Sequence, residues 1–412
     1  MRELKHLYNL EKLLEESNHE LVQKASREGK IAVGDVCSMI PEVLLNLPGC
    51  FSVRLRAPRT GTIEIGTYYM TSLLCEYCRA LVERAVEGGY NFLDCIIAPD
   101  ACAAMNRCVE NMELLKTCEK EKFFITYSDV PMKSDETALE HYVKQMRLRV
   151  LEPLHDTYGI DISEEALRQA VEEHNRICRL IREIGEFRKE EYPRITGYEF
   201  HVFCLATYCC PKEELIPILE ETLEEVKERE PDEKYRIRVV LAGSEIDDLD
   251  FIKLIEESGA LVAADRHCFG SFPGRDEIVL REGEDILTQI CRHYMVTGQC
   301  PRYMNTEKIE ERKDYVDRLA MEYHADGIIY EQMKFCDYWG YERMAASHIM
   351  HEEYGYPVLS VDRPYVVGSS GQLRTRVQAF VESVEIKKLQ GRTKETEKPH
   401  TRAKEGKRWA GK

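Results

Sequence analysis

Apolar and polar positions along this chain follow two different rhythms. From Lys30 onward, short apolar runs such as "KIAVGDV", "FSVRLRA", "FLDCIIAP" and "KFFITYSD" alternate with amphipathic stretches. One of these, "TSLLCEYCRALVERAVEG", closes on Gly88-Gly89. Runs rich in Val, Ile and Phe read as strands, and apolar positions three and four apart read as helix faces. Strands alternating with helices predict a parallel sheet covered on both sides. Residues 134–229 break the rhythm. They hold long, charged, helically periodic runs, "ISEEALRQAVEEHNRICRLIREIGEFRKE" and "PKEELIPILEETLEEVKERE", with no strand between them. The alternation then returns. "RIRVVLAGSE", "ALVAADRHC", "DGIIYEQ" and "YPVLSVD" read as strands, and "LDFIKLIEESG" and "TEKIEERKDYVDRLAMEYHA" as helices.

The predicted fold class is therefore α/β, with two Rossmann-like parallel-sheet domains and an intervening helical domain. Its expected divisions are an N-terminal helix at 1–30, an α/β domain at 31–133, a helical domain at 134–232, a second α/β domain at 233–386 and a disordered basic tail at 387–412. Each predicted strand ends at a polar or glycine-containing stretch, and open α/β sheets bind ligands at the carboxyl ends of their strands.

Composition narrows the class. A chain of 412 residues exceeds one ordinary core, and 43% hydrophobic with 32% charged residues is the balance of a water-soluble globular protein. No run approaches the ~18 apolar residues of a membrane span. The first stretch, "MRELKHLYNLEKLLEESNHEL", is a charged amphipathic helix without the apolar core of a signal peptide. The expectation is a cytoplasmic protein with no membrane contact. A net charge of -17 argues against nucleic acid as a partner. Residues 387–412 run the other way, with ten Lys/Arg against three Glu. Such a tail either docks an acidic partner or is a solvated end, and its low apolar content is that of a solvated end.

Sixteen cysteines change the picture more. A reducing compartment leaves buried packing thiols or metal ligands as the choice. Cys178, Cys204, Cys209, Cys210 and Cys291 lie in apparent helices among apolar neighbours and read as small core residues. Cys37, Cys75, Cys102, Cys300 and Cys336 sit instead at element ends or beside Gly and Pro, where thiolates from separate elements can converge. Cys75 and Cys78 form a lone C-x-x-C in the first turns of a helix, which reads as a redox pair, half of a zinc site, or chance. Residue by residue, the sequence supports a thiolate-bound metal of unspecified type.

Several stretches carry a resemblance. "GDVCSMIPEVLLNLPG", "LLCEYCRALVERAVEGGYNFLDCIIAPDACAAMNR", "LAGSEIDDLDFIKLIEESGALVAADRHCFGS", "HADGIIYEQMKFCDYWGYE" and "GQLRTRVQAFVES" resemble, in unbroken order from about residue 30 to 385, the 2-hydroxyacyl-CoA dehydratase family, whose relatives include benzoyl-CoA reductase subunits. The most specific are "KFCDYWGYE" and "GQLRTRVQAF". The resemblance implies that three cysteines hold a [4Fe-4S] cluster with one iron open. Matched motif to motif, they are Cys75 (followed four residues later by Arg79), Cys102 and Cys336. Iron–sulfur irons are soft and take thiolates. Relatives with a double cluster use additional cysteines, of which Cys300 finds a match, and Cys78 stands as a further fourth-ligand candidate. The chain departs from the family pattern at Ala103, where Asp is usual, and at "SVDRPYVVG", where an acidic pair is common.

The resemblance also implies a chemistry. Water leaves a (R)-2-hydroxyacyl-CoA to give the enoyl-CoA through a one-electron, ketyl radical route. A separate ATP-dependent iron–sulfur activator protein delivers the electron, and a heterodimer forms with a second homologous dehydratase subunit. A benzoyl-CoA reductase-type subunit, or a non-catalytic electron-relay or metal-carrying subunit, is the alternative. Ser38 aligns with a segment near the acyl-CoA substrate and is the catalytic candidate; it reads equally as a cap for a helix starting near Pro41-Glu42. Arg374 and Arg376 read as an anion grip or as a structural pair at a helix start.

Overall fold

The computed structural model describes residues 3–231, 235–271, 275–366 and 370–392. The chain opens with two short helices, α1 (Leu7–Leu13) and α2 (Glu20–Arg27), where the sequence predicts one. The break has a packing cause. His19 is buried against the carbonyl of Cys209, at 3.1 Å, and that contact turns the chain between the helices.

The first α/β unit follows as β1 (Ile31–Asp35), a short 3-10 turn (Glu42–Leu45), β2 (Cys50–Arg54), α3 (Glu64–Met70), α4 (Glu76–Val86), β3 (Cys95–Asp100), α5 (Ala103–Leu114) and β4 (Phe124–Asp129). The helical stretch comprises α6 (Glu136–Met146), a π-turn (Arg147–Leu151), α7 (Glu152–Tyr158), α8 (Glu164–Glu186), α9 (Gly197–Cys209) and α10 (Lys212–Glu228). The second α/β unit is β5 (Ile237–Gly243), α11 (Asp250–Glu257), β6 (Ala260–His267), α12 (Ile286–Thr297), α13 (Thr306–Glu322), β7 (Gly327–Met333), α14 (Asp337–Glu352), β8 (Val358–Arg363) and α15 (Ser370–Arg392).

Both sheets are four-stranded and wholly parallel, ordered β2-β1-β3-β4 and β6-β5-β7-β8. This is the predicted α/β class with Rossmann-like sheets. The inner strand β5 is buried at every position, as is the edge strand β6, and both read as largely apolar runs. In each sheet the strand order reverses beside the first strand, between β1 and β3 and between β5 and β7. Crevices at such reversals are where open α/β sheets place ligands.

The helical stretch shares its core with the sheets. Ile177, Phe200 and Leu215 pack in one cluster with Ala32 and Phe51, while Leu139 and Met146 pack with Leu287 and Ile290 of α12. The C-terminal end departs from expectation: α15 continues through Arg392, and Lys388 pairs with Asp326 at 2.7 Å. The remainder of the expected tail, 393–412, lies outside the described residues.

Candidate functional site

Three of the predicted thiols occupy one kind of position. Cys75, Cys102 and Cys336 are the N-cap residues of α4, α5 and α14, respectively. Cys75 thus precedes its helix, whereas the sequence placed it in the first turns. A helix N-terminus carries unpaired N–H groups and partial positive charge, so it favours a thiolate over a thiol. At Cys102 this is direct, since Met105 N–H donates to its Sγ at 3.4 Å.

The local chain is shaped to hold these caps together. Glu76 N–H donates to the carbonyl of Lys334 at 3.1 Å, which joins the start of α4 to the turn before Cys336. Phe335 within that turn has φ 64, a left-handed conformation that a bulky residue adopts only where its surroundings enforce it. Arg79 is one of the enforcers. It donates to the carbonyl of Leu74 at 3.0 Å and to Thr67 Oγ1 at 2.8 Å, and its guanidinium lies 5.8 Å from the centre of the Phe335 ring. α3 can approach α4 closely enough for this because position 66 is glycine; a Cβ there would stand 2.0 Å from the carbonyl oxygen of Arg79.

The thiols of Cys336 and Cys78 hydrogen-bond to Cys75 and hold it well below the ordinary thiol range. The same bonds, with burial, push Cys336 and Cys78 well above it. Cys102 is pushed up by burial and feels the charge of Cys75. Among the described residues, no three His, Cys, Asp or Glu side chains are set closely enough to grip a single metal ion.

Between the two sheets lies a pocket whose wall includes Ser38, Glu245, His267, Cys268, Cys300 and Trp339. Ser38 is not a helix cap, because the turn at Glu42–Leu45 is capped by Pro41. Its Oγ instead accepts from Arg54 Nη1 and Nη2 at 3.3 and 3.2 Å. Arg54 is fully buried, ion-paired with Asp35 on β1 and positioned against the Tyr208 and Phe269 rings. Arg266 is held by Gln299 at 2.8 and 3.1 Å and lies over Trp339. Burial pushes His267 down to about 3, so it is neutral, and neither ring nitrogen has a hydrogen-bond partner. Glu245, just past β5, is pushed up to about 8, first by burial and then by the charge of Cys75.

The expected residues therefore divide. Cys75, Cys102, Cys336 and Cys78 lie at the N-termini of α4, α5 and α14; Ser38 and Cys300 stand on the pocket wall. Arg374 and Arg376 are elsewhere, paired with Glu257 and with the carbonyl of Ser360, as a structural pair would be. Sequence reasoning missed Glu245, His267 and Cys268. A signal existed for Cys268, which follows β6 much as Cys336 follows β7.

The chain matches the family described as "2-hydroxyglutaryl-CoA dehydratase, D-component" over residues 37–384, and it belongs to that family. The (R)-phenyllactyl-CoA dehydratase beta subunit of Clostridium sporogenes is 23% identical over 374 residues, spanning 90% of this chain and 96% of that protein. The (R)-2-hydroxyglutaryl-CoA dehydratase subunit beta of Acidaminococcus fermentans is 22% identical, spanning 88% and 95%. A benzoyl-CoA reductase subunit of Thauera aromatica is 22% identical, spanning 84% and 89%. No helix among the described residues is long and apolar enough to cross a membrane.

Proposed function

We propose that this chain is the iron–sulfur subunit of a 2-hydroxyacyl-CoA dehydratase, removing water from a (R)-2-hydroxyacyl-CoA to give the enoyl-CoA. It works beside a second homologous subunit and takes electrons from an ATP-dependent iron–sulfur activator. The observation that carries this reading is that Cys75, Cys102 and Cys336 each cap a helix, on helices from both α/β units, and that the start of α4 is bonded to the turn before Cys336. The donor set fits a thiolate-bound iron–sulfur group: the thiols are soft ligands, each stands at a helix N-terminus whose free N–H groups favour a thiolate, and a positive centre there would offset the burial that pushes Cys102 and Cys336 up. A [4Fe-4S] cluster held there would supply one-electron chemistry and a Lewis-acidic iron.

The chain's own residues account for the rest. Ser38 Oγ accepts from Arg54, so its O–H proton is free to donate to a substrate oxygen. The Arg54 charge behind it favours negative charge developing on that oxygen, and in a buried site it acts more strongly than in water. Phe269, Tyr303 and Trp339 wall the cavity and limit the entry of water. A benzoyl-CoA reductase-type subunit is the second reading, supported by the similarity to the Thauera protein.

The test is anaerobic purification with iron and sulfide analysis and EPR. Turnover is then assayed with partner subunit, activator, ATP and a panel of hydroxyacyl-CoAs and benzoyl-CoA. About one four-iron cluster per chain and dehydration of a hydroxyacyl-CoA are expected. A colourless protein holding one zinc overturns the reading, as does turnover without any electron donor.

A further inference from the structure

Arg54 lines the pocket with Ser38, and its own hydrogen bonds do not fix its direction. Its Nε is tied to Asp35 on β1. Among the described residues, Ser38 Oγ is the one acceptor that Nη1 and Nη2 share, at 3.3 and 3.2 Å. One bond at the stem and one hydroxyl at the tip leave the planar fork free to tilt about its last torsions.

Aromatic rings confine it. The guanidinium carbon of Arg54 lies 5.2 Å from the centre of the Tyr208 ring and 5.7 Å from that of Phe269. These two rings meet edge to face, with centres 5.7 Å apart and planes at 69°. The Tyr208 ring also takes the guanidinium of Arg275, at 3.9 Å. All of these cations stand within the ~6 Å reach of a ring's negative face. The ring is itself anchored. Tyr208 Oη donates to the carbonyl of Gly270 at 2.8 Å and accepts from Arg275 Nε at 3.2 Å. Arg54, Tyr208, Phe269 and Arg275 are all buried, so water screens none of these contacts. Tyr208 belongs to α9 and stands behind the wall that Arg54 and Phe269 help to form.

We infer that Tyr208 is a positioning residue of the pocket, whose ring holds the Arg54 fork on Ser38. This rests on the reading that the pocket takes a hydroxyacyl-CoA and that Ser38 donates to its oxygen. The role belongs to the ring, because the Tyr208 hydroxyl bonds Gly270 and Arg275 and not Arg54.

The experiment compares wild type, Tyr208→Phe and Tyr208→Leu in the complex with the partner subunit, and repeats each in a Ser38→Ala background. The readouts are the distance from Arg54 to Ser38 in crystal structures of the variants, kcat and KM, and the unfolding midpoint. Tyr208→Phe keeps the ring and loses buried hydrogen bonds. It is expected to unfold at lower temperature, with Arg54 still on Ser38 and kcat within about 2-fold of wild type. Tyr208→Leu is expected to release the fork beyond hydrogen-bond distance of Ser38 and to lower kcat roughly 10-fold. With Ser38→Ala already present, the same leucine change should alter kcat by less than about 2-fold, because the group it acts through is gone. Arg54 still bonded to Ser38 in Tyr208→Leu overturns the inference, as does an equal loss of kcat in both backgrounds. If Tyr208→Leu does not fold, Tyr208→pentafluorophenylalanine decides by the same readouts, since it keeps the ring's shape and reverses the charge of its face. A wild-type complex that dehydrates no hydroxyacyl-CoA fails the proposed function instead, and the distance from Arg54 to Ser38 still decides for Tyr208.

Discussion

The amide of Glu76 and the carbonyl of Lys334, 3.1 Å apart, join the first turn of α4 to the turn that presents Cys336. The two candidate ligands on either side of this bond come from different α/β units, so their spacing depends on how those units dock.

Arg79 reinforces the same contact, which gives a first prediction. Its planar fork reaches Leu74, Thr67 and Glu76 at once, and its face meets Phe335. A lysine keeps the charge and loses the fork. Arg79→Lys should cost about 1–3 kcal/mol in urea unfolding, because buried acceptors lose their donors. It should also bleed iron faster under a chelator. Unchanged stability and unchanged iron retention would separate Arg79 from the cage.

Cys336 and Cys204 make a matched pair for the second prediction. Cys204 is fully buried inside α9 and is pushed up by burial, as a packing thiol should be. Cys204→Ser should keep its iron and cost on the order of 1 kcal/mol. Cys336→Ser should lose the cluster or hold a labile one, since a serine oxygen is a poor ligand for iron–sulfur iron. Iron per folded chain decides it. Equal iron in the Cys336 variant, or loss in the Cys204 variant alone, would show that Cys336 is not a ligand.

What the sequence could reveal tracks the range of the forces involved. The strands were legible because β1, β3, β5 and β7 are mostly buried on both faces and read as short, largely apolar runs ending at a polar residue or glycine. Helix α3 was not, because Tyr68 and Tyr69 face solvent while Gly66 faces inward, so no apolar stripe marks it. Cys75, Cys102 and Cys336 stood out through motif resemblance and their places at element ends. Glu245 carries no motif and no period. Its place on the cavity wall appears only once β5 docks against β6 and β7.

A third prediction concerns Ser38. Its oxygen is held by a buried guanidinium and caps no helix, so removing it leaves the fold's hydrogen-bonded elements intact. Ser38→Ala should leave the unfolding midpoint within a degree or so while lowering kcat about 10- to 100-fold, the scale of one lost donor at a developing charge. KM should move less than kcat if the bond strengthens in the transition state. A change in KM alone would make Ser38 a binding contact, and no change in either would remove it from the site.

The last prediction is an acid-stability one, away from the thiols. Glu42 is buried at the foot of α8, with Lys212 on one carboxylate oxygen and Arg275 Nη1 at 3.7 Å from the other. Burial pulls its pKa up, but Lys212 and Arg275 outweigh burial and hold it at about 2. The ordinary unfolded value is about 4.3. A folded value below the unfolded one means stability that is complete above the unfolded pKa and lost as pH falls toward the folded one. The window therefore runs from about pH 5 down to about 2, and the shift corresponds to roughly 3 kcal/mol. Glu42→Gln leaves Lys212 buried without its counter-charge, so at pH 7 the variant should be about 3 kcal/mol less stable than wild type. At pH 3 the folded carboxyl is still largely ionised, but the unfolded chain's is largely protonated, which stabilises the unfolded wild type, so the gap should narrow. Urea unfolding of both proteins at pH 7, 5 and 3 measures the gap directly. A gap that stays constant across that range would mean that Glu42 does not titrate in this window and that the pair does not stabilise the fold in the way described.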